Sequence, residues 1–228
     1  MKLLRYNERV WYSQFEDERD RPALGYIKGR NFSIAVDAGH SDRHVEEFYE
    51  ALKREKLPLP QLTVLTHWHW DHTFGMHRVN GLTIASRRTN DHLREFIASR
   101  SPEHDENFRN MDITITREYA DDKEIVVVTS DIEYQGKLMI DAGGLPVIIY
   151  ETDSPHTDDA TLVYLPEDRV VFFGDAISGV YPTWVADKTL TEKLRMHVES
   201  LEADAFIGGH WPIFTKRELI ANLQEEEW

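Results

Sequence analysis

Thr66-His67-Trp68-His69-Trp70-Asp71-His72 directly follows the apolar, β-branched run Leu62-Thr63-Val64-Leu65. A strand that ends in four histidine and aspartate side chains within six residues indicates a metal site at the edge of a sheet. Alternate side chains of an extended segment point the same way, so His67 and His69 can face one ion. The turn that follows directs Asp71 and His72 toward a second position. One short loop can therefore serve two metals; the alternative is a chance cluster of surface side chains.

The composition limits the classes of function. The chain has 228 residues, enough to bury a sizeable core, and we predict a single domain spanning residues 1–228. It carries 26 Lys and Arg against 41 Asp and Glu, a formal net charge of −15. Nucleic-acid binding needs clustered Lys and Arg to release counterions, so nucleic acid is a poor partner and a small-molecule substrate is expected. The sequence favours no particular oligomeric state.

The absence of cysteine excludes disulfides, thiolate nucleophiles and thiolate metal ligands. Any metal site must therefore use imidazole and carboxylate groups. Residues 1–9 contain no apolar segment after their basic residues, and no run of about 18 apolar residues occurs in the chain. We therefore predict a cytoplasmic protein that has no membrane partner.

The spacing of apolar residues predicts mixed α and β structure. Helices are expected from Asp42 to Glu55 with Ser41 as the cap, near Thr73–Met76, and at Arg87–Ser99, Leu190–Leu201 and Thr215–Gln224. Strands are expected throughout the first 40 residues, at Leu62–Leu65 and Leu82–Ala85, and then, as a second sheet, at Ile113–Thr116, Ile125–Val128, Ile132–Tyr134, Leu138–Ile140 and Val147–Tyr150. For the polar segment 100–110, a loop or short helix is favoured over a mobile cover. The charged run Glu16–Arg21 is predicted to be a solvated loop.

A second stretch, Ser154-Pro155-His156-Thr157-Asp158, precedes two apolar strands that are joined by a turn at Pro166-Glu167-Asp168. The hairpin carries His156 at its entry and Asp175 at its exit, so both can meet at one edge. A later apolar strand ends in Gly209-His210. Each of these residues alone has an ordinary structural explanation, but the ordered set is typical of a metal centre.

His67-x-His69-x-Asp71-His72, the later His156-Thr157, Gly174-Asp175 and Gly209-His210 together resemble the metallo-β-lactamase-fold hydrolase superfamily. The resemblance implies an α/β, four-layer αβ/βα sandwich, in which two mixed sheets are flanked by helices. It also implies two divalent ions per chain, with zinc favoured and iron or manganese as alternatives. His67, His69 and His156 would hold one ion; Asp71, His72 and His210 would hold the other, and Asp175 would bridge them. Aspartate at the bridging position is similar to glyoxalase II and the lactonases.

This resemblance implies a hydrolase in which a metal-bridging hydroxide cleaves a small ester, lactone or thioester. Asp71 could also steer the proton of the nucleophile. The positive charge of the ions favours an anionic substrate or leaving group. A mononuclear-iron sulfur-dioxygenase-type oxidoreductase is the alternative, because the positions it uses, His67, His156 and Asp175, are all present. The complete second group of ligands favours the hydrolase.

Aromatic side chains near the expected ligands are candidates for the substrate pocket. Trp68 and Trp70 occupy the variable positions of the motif and could be pocket walls or plain packing. Tyr181, Trp184 and Trp211 suggest a small, partly apolar pocket. Asp37, which follows a strand, is either a turn residue or a group that orients the ligands. Arg87 and Lys188 are candidates for binding a substrate carboxylate, although an ordinary surface role is favoured for both.

Overall fold

A computed structural model describes residues 1–120 and 124–224. Two mixed sheets face each other and helices cover their outer surfaces, which confirms the predicted αβ/βα sandwich. The strands are β1 (Leu3–Arg5), β2 (Val10–Ser13), β3 (Gly25–Lys28), β4 (Ser33–Val36), β5 (Leu62–Val64), β6 (Leu82–Ser86), β7 (Ile132–Tyr134), β8 (Lys137–Asp141), β9 (Pro146–Glu151), β10 (Thr161–Leu165), β11 (Val170–Gly174), β12 (Ala205–Gly208) and β13 (Phe214–Thr215). The helices are α1 (Asp42–Arg54), α2 (Trp70–Thr73), α3 (Arg87–Ser99), α4 (Pro102–Arg109), α5 (Ile113–Glu118), α6 (Lys188–Ser200) and α7 (Lys216–Gln224).

The first sheet follows the chain from β1 to β7 in order. Strands β1 to β4 pair antiparallel, and β4 to β7 pair parallel. The second sheet has the order β13-β12-β11-β10-β9-β8, with a single parallel pair between β11 and β12. Because β4 and β5 are parallel neighbours, as are β11 and β12, each pair brings two strand exits to the same edge of its sheet.

Most of the core lies between the two sheets. Ile34 and Val36 of β4 point inward and meet Val163, Phe172 and other inner residues of the second sheet. Ala35, between them, points outward and packs under Phe48 of α1. Strand β4 is buried along its whole length because both of its faces are covered.

Several predicted helices are confirmed, and the first of them begins at its predicted cap. The Ser41 hydroxyl accepts a hydrogen bond from the His44 N–H at the start of α1. Helix α3 has the predicted bounds, and α6 and α7 cover the outer face of the second sheet through Leu194 and Leu219. Within segment 100–110, α4 packs Phe108 against Trp70, in agreement with the favoured short helix.

Two predicted strands of the second sheet are wrong. Residues 113–116 form the start of helix α5, because Asp112 caps it and accepts a hydrogen bond from the Thr114 N–H. Residues 125–128 pair with no strand in the described part of the chain, although Ile125 is buried. A third strand, β7, was assigned to the wrong sheet: it pairs parallel with β6 in the first.

Among the helices in residues 1–120 and 124–224, none has both the length and the apolar character needed to cross a membrane.

Candidate metal centre

Four chain segments bring the predicted ligands to one end of the sandwich, and a fifth brings Asp37. The exit of β5 leads into His67–His72, the exit of β11 into Asp175, and the exit of β12 into His210. His156 lies in the connection between β9 and β10, and Asp37 follows β4. A hydrogen bond of 2.7 Å from the Thr161 N–H to the Thr66 carbonyl joins the two sheets at this end.

The first group consists of His67, His69 and His156, all buried, with ligand atoms within 4.8 Å of one another. His69 Nδ1 and His156 Nε2 are 2.9 Å apart. His67 Nε2 is buried and makes no hydrogen bond with residues 1–120 or 124–224. Three imidazoles that converge in this way form a donor set suited to zinc and similar ions.

Neighbouring oxygens determine which nitrogen of these rings carries the proton. His156 Nδ1 lies 2.7 Å from the Gly179 carbonyl, which can only accept, so Nδ1 donates and Nε2 keeps its lone pair. His67 Nδ1 lies 3.2 Å from Thr66 Oγ1, whose own proton is donated to Asp37. Both rings therefore present an unprotonated Nε2 to the centre of the group, as metal ligation requires.

The second group consists of Asp71, His72, Asp175 and His210, again with ligand atoms within 4.8 Å of one another. Asp71 Oδ2 lies 2.9 Å from His210 Nε2 and 3.2 Å from His72 Nε2. Asp175 Oδ2 lies 3.4 Å from both nitrogens. Asp175 Oδ1 is buried and has no hydrogen-bond partner among the residues that the structure describes, and the bridging role of this residue stays a prediction.

Asp37 makes the turn after β4, and its carboxylate holds both the Thr66 backbone and the His72 ring in place. Its φ of 65° lies in the left-handed region, which aspartate tolerates. Its carboxylate accepts hydrogen bonds from the Thr66 N–H at 2.7 Å and from His72 Nδ1 at 2.8 Å. The bond to Nδ1 leaves His72 Nε2 free to face Asp71 and Asp175.

The two groups differ in charge before any ion binds. Burial, together with the neighbouring histidines, holds the pKa of His67 well below its ordinary value and lowers the pKa of His69 to about 3. Burial opposes protonation of His72 and His210 too, but the nearby carboxylates outweigh it. They raise the pKa of His72 well above its ordinary value and that of His210 to about 9. His67 and His69 are therefore neutral at neutral pH, and the second group holds imidazolium and carboxylate.

The residues present in both groups are able to hold divalent cations. His67 Nε2 and Asp175 Oδ1 are buried atoms without a hydrogen bond in the described part of the chain. An unsatisfied buried polar atom costs about 1–3 kcal/mol, so a cation among these atoms would remove a penalty. Imidazole and carboxylate ligands suit zinc, iron and manganese alike.

Gly209 is required by the close approach of the second group to the backbone. A Cβ atom at this position would collide with Asp175 Oδ1 and would lie 2.9 Å from His72 Cε1. The Gly209 N–H also donates to the Gly174 carbonyl at 2.9 Å, and its own carbonyl accepts from the Ala23 N–H at 2.7 Å. The glycine before His210 thus lets the ligand loop pack directly on the neighbouring ligands.

A pocket of about 300 Å³ opens onto both groups. Of the predicted pocket residues, Trp70, Tyr181, Trp184 and Trp211 line it. Trp68 does not: its ring packs on His69 and His92, at centroid distances of 4.8 and 5.5 Å.

The two cationic candidates for substrate binding lie outside this pocket. Exposed Arg87 begins α3 and lies 3.8 Å from Asp91, and Lys188 begins α6. Neither is among the residues that line the pocket.

Sequence analysis missed the contribution of residues 16–21. Asp17 and Asp20 line the pocket, and Asp20 Oδ1 lies 3.6 Å from His210 Nδ1. Burial beside Asp71 and Asp175 raises the pKa of Asp20 to about 7. The segment is also not fully solvated, since Arg21 is buried and pairs with Glu118 at 2.8 Å. No apolar pattern in this short charged run distinguishes it from a surface loop.

A family model described as the metallo-beta-lactamase superfamily matches residues 24–213. The chain belongs to this superfamily. Members of the metallo-beta-lactamase superfamily bind divalent metals, and the two groups described above are able to hold them. Membership and geometry together support a metal-dependent hydrolase in general.

Solved structures share the fold at low sequence identity. A metallo-beta-lactamase from Pontibacter korlensis is 19% identical, with a TM-score of 0.70; the match covers 98% of this chain and 99% of that one. DIM-1 metallo-beta-lactamase exposed to ceftazidime is 18% identical, with a TM-score of 0.66 and coverage of 98% and 94%. A double mutant of the sec-alkyl sulfatase PisA1 is 12% identical, with a TM-score of 0.72, and the match covers 99% of this chain but 40% of that one.

Proposed function

We propose that this superfamily member is a dinuclear metallohydrolase that cleaves a small ester, lactone or thioester. The observation that supports this most is the pair of adjacent donor groups, one of three histidines and one of two histidines and two aspartates, beside a single pocket. His67, His69 and His156 would hold one ion and Asp71, His72 and His210 the other, with Asp175 between them. Zinc is the favoured ion.

The bound ions would lower the pKa of water toward neutrality and polarise the carbonyl of the substrate. The side chains of the protein would position the substrate and the attacking water and would transfer protons. Asp71 is assigned a catalytic role in addition to ligation. Burial alone would raise its pKa, but the charge of His72 and the hydrogen bond from His210 hold that pKa well below its ordinary value. An ionised Asp71 carboxylate can accept a hydrogen bond from a water molecule and orient it toward the substrate.

The complete second group distinguishes this proposal from the mononuclear-iron oxygenase. An enzyme that uses His67, His156 and Asp175 around one iron does not need Asp71, His72 and His210 as ligands. In the structure the ligand atoms of these three residues lie within 4.8 Å of one another. A hydrogen bond to Asp37 holds the His72 ring in place. The small pocket, with Trp70 and Tyr181 in its wall, suits a small molecule.

The test is metal analysis of protein purified without a nickel column, followed by assays of hydrolysis and oxygen uptake. We expect about two metal equivalents per chain, in line with two complete donor sets, and turnover of generic esters, lactones or thioesters without oxygen consumption. Asp175→Asn should lose metal and turnover together. His104→Ala, which alters a histidine on α4 away from both groups, is the matched control and should change neither. One tightly held iron per chain with oxygen uptake on thiol substrates would refute the proposal.

A further inference from the structure

The entrance of the pocket combines acidic and aromatic side chains. Asp17 and Asp20 line it together with Tyr181, Trp184 and Trp211. No lysine or arginine in residues 1–120 and 124–224 lines this pocket. Asp20 lies beside His210, and the Trp184 ring lies parallel to the His156 ring at a centroid distance of 6.4 Å. The two kinds of side chain therefore stand next to the two donor groups.

The acidic side chains are held at the entrance by a fixed turn. Glu16 and Arg21 form a β-bridge that closes the segment, and residues 17–19 form a 3-10 turn. Arg21 is buried, with two hydrogen bonds to Glu118 at 2.8 and 2.9 Å. The backbone of such a turn loses little conformational entropy when a ligand binds, so the positions of Asp17 and Asp20 at the entrance are set beforehand.

Two bound ions and their aspartate ligands would together be positively charged. The other aspartates near the site change this balance. Two divalent ions would bring four positive charges. Five aspartates oppose them: Asp71 and Asp175 in the second group, Asp37 bonded to His72, and Asp17 and Asp20 at the entrance. The aspartates of the centre and the entrance therefore offset the positive charge of the ions.

Asp17 has no structural role that would account for its carboxylate. It is exposed, and its side chain makes no hydrogen bond or ion pair with any residue in the described ranges. The carboxylate of Asp20 lies 3.6 Å from His210 Nδ1 and can stabilise that histidine. The carboxylate of Asp17 has no comparable partner among the described residues. Trp184 is likewise half exposed, with its indole ring perpendicular to Tyr181 at 5.5 Å. Aromatic faces attract ammonium groups through their quadrupoles, and nearby carboxylates add an attraction between opposite charges.

We propose that the substrate carries a cationic ammonium group. The group binds with the aromatic rings of Tyr181 and Trp184 on one side and the carboxylates of Asp17 and Asp20 on the other. This inference rests on the proposed hydrolase function, since it places the scissile carbonyl at the metal centre and the cation at the entrance. The ring faces attract the cation through their quadrupoles, and the carboxylates do so by charge. Both attractions select against an anionic substrate.

Three thioesters that differ in charge test the proposal on metal-loaded protein. They are acetylthiocholine, its neutral carbon isostere S-(3,3-dimethylbutyl) thioacetate, and the anion 3-(acetylthio)propanoate. We expect kcat/KM to be highest for the cation, by about tenfold over the neutral isostere. Aromatic rings and carboxylates at an open site together stabilise a bound ammonium group by about this factor. Asp17→Asn and Trp184→Leu should each reduce this ratio by about threefold or more. Glu18→Gln, on the same turn but outside the pocket lining, is the matched control and should preserve the ratio.

Calorimetric titration of the same proteins with tetramethylammonium provides a readout that does not depend on turnover. Binding that is weakened in Asp17→Asn, without cleavage of any thioester, ester or lactone, would support the ammonium site and refute the hydrolase. Equal kcat/KM for the cationic and neutral thioesters, or a preference for the anion, would overturn the ammonium site and leave the hydrolase intact.

Discussion

Replacing Asp37 with asparagine should weaken metal binding at the second group by changing the tautomer of His72. Asparagine tolerates the left-handed backbone at this position, so the turn after β4 is retained. Its carbonyl can still accept the Thr66 N–H, which turns the amide NH₂ toward His72 Nδ1. Nδ1 must then accept, and the ring proton moves to Nε2, the atom that faces Asp71 and Asp175.

The magnitude follows from the geometry of the lost bond. His72 Nδ1 and Asp37 Oδ2 are 2.8 Å apart, and both side chains are buried. A hydrogen bond to a charged group contributes about 1.5–3 kcal/mol. Loss of a carboxylate that orients a ligand typically costs about 10- to 100-fold in metal affinity, or about 1.4–2.8 kcal/mol, so the two estimates agree.

The assay is competition for Zn²⁺ between the protein and a chromophoric chelator, which resolves the stronger and weaker equivalents. Asp131→Asn is the matched control, because the Asp131 carboxylate accepts from the Thr83 N–H and hydroxyl, both at 2.8 Å, as Asp37 does from Thr66, but far from the site. The control should bind both equivalents as the parent protein does. If Asp37→Asn also binds both with unchanged affinity, Asp37 does not set the tautomer of His72.

Three further predictions concern protons and buried charge. Since the pKa of His72 is well above its ordinary value and that of His210 is about 9, Zn²⁺ loading at neutral pH should release up to two protons and tighten as the pH rises toward 9. Calorimetry in buffers of different ionisation enthalpy measures the release, and none at all would contradict it. Arg21→Met leaves the Glu118 carboxylate buried and unpaired and should lower the free energy of unfolding in urea by about 3–5 kcal/mol; combining it with Glu118→Leu should recover part of the loss. Burial and nearby Arg21 hold the pKa of His44 well below 6.5, so the unfolded chain binds a proton that the native state does not. Stability of the metal-free protein should therefore fall as the pH drops below 6.5, and less steeply in His44→Asn; parallel profiles would refute this.

The sequence alone determined those features that depend on neighbouring residues. The apolar run ending at Leu65 and the spacing of the following histidines predicted a strand and a metal-ligating loop, because strand geometry and ligand chemistry act over a few residues. Ser41 predicted the start of α1, since a cap bonds within its own turn. The order of the motifs along the chain then indicated the superfamily that the family model shows.

Only the tertiary structure decided where distant segments meet. Residues 113–116 are all β-branched and favour a strand, yet they lie in α5, where Glu118 meets buried Arg21 from nearly a hundred residues earlier in the chain. A local propensity of a few tenths of a kcal/mol per residue is outweighed by such a contact. The location of Asp17 at the pocket was likewise decided by tertiary packing. Its position depends on the packing of its turn and not on any pattern in its own sequence, because long-range contacts place a loop that has no periodicity of its own.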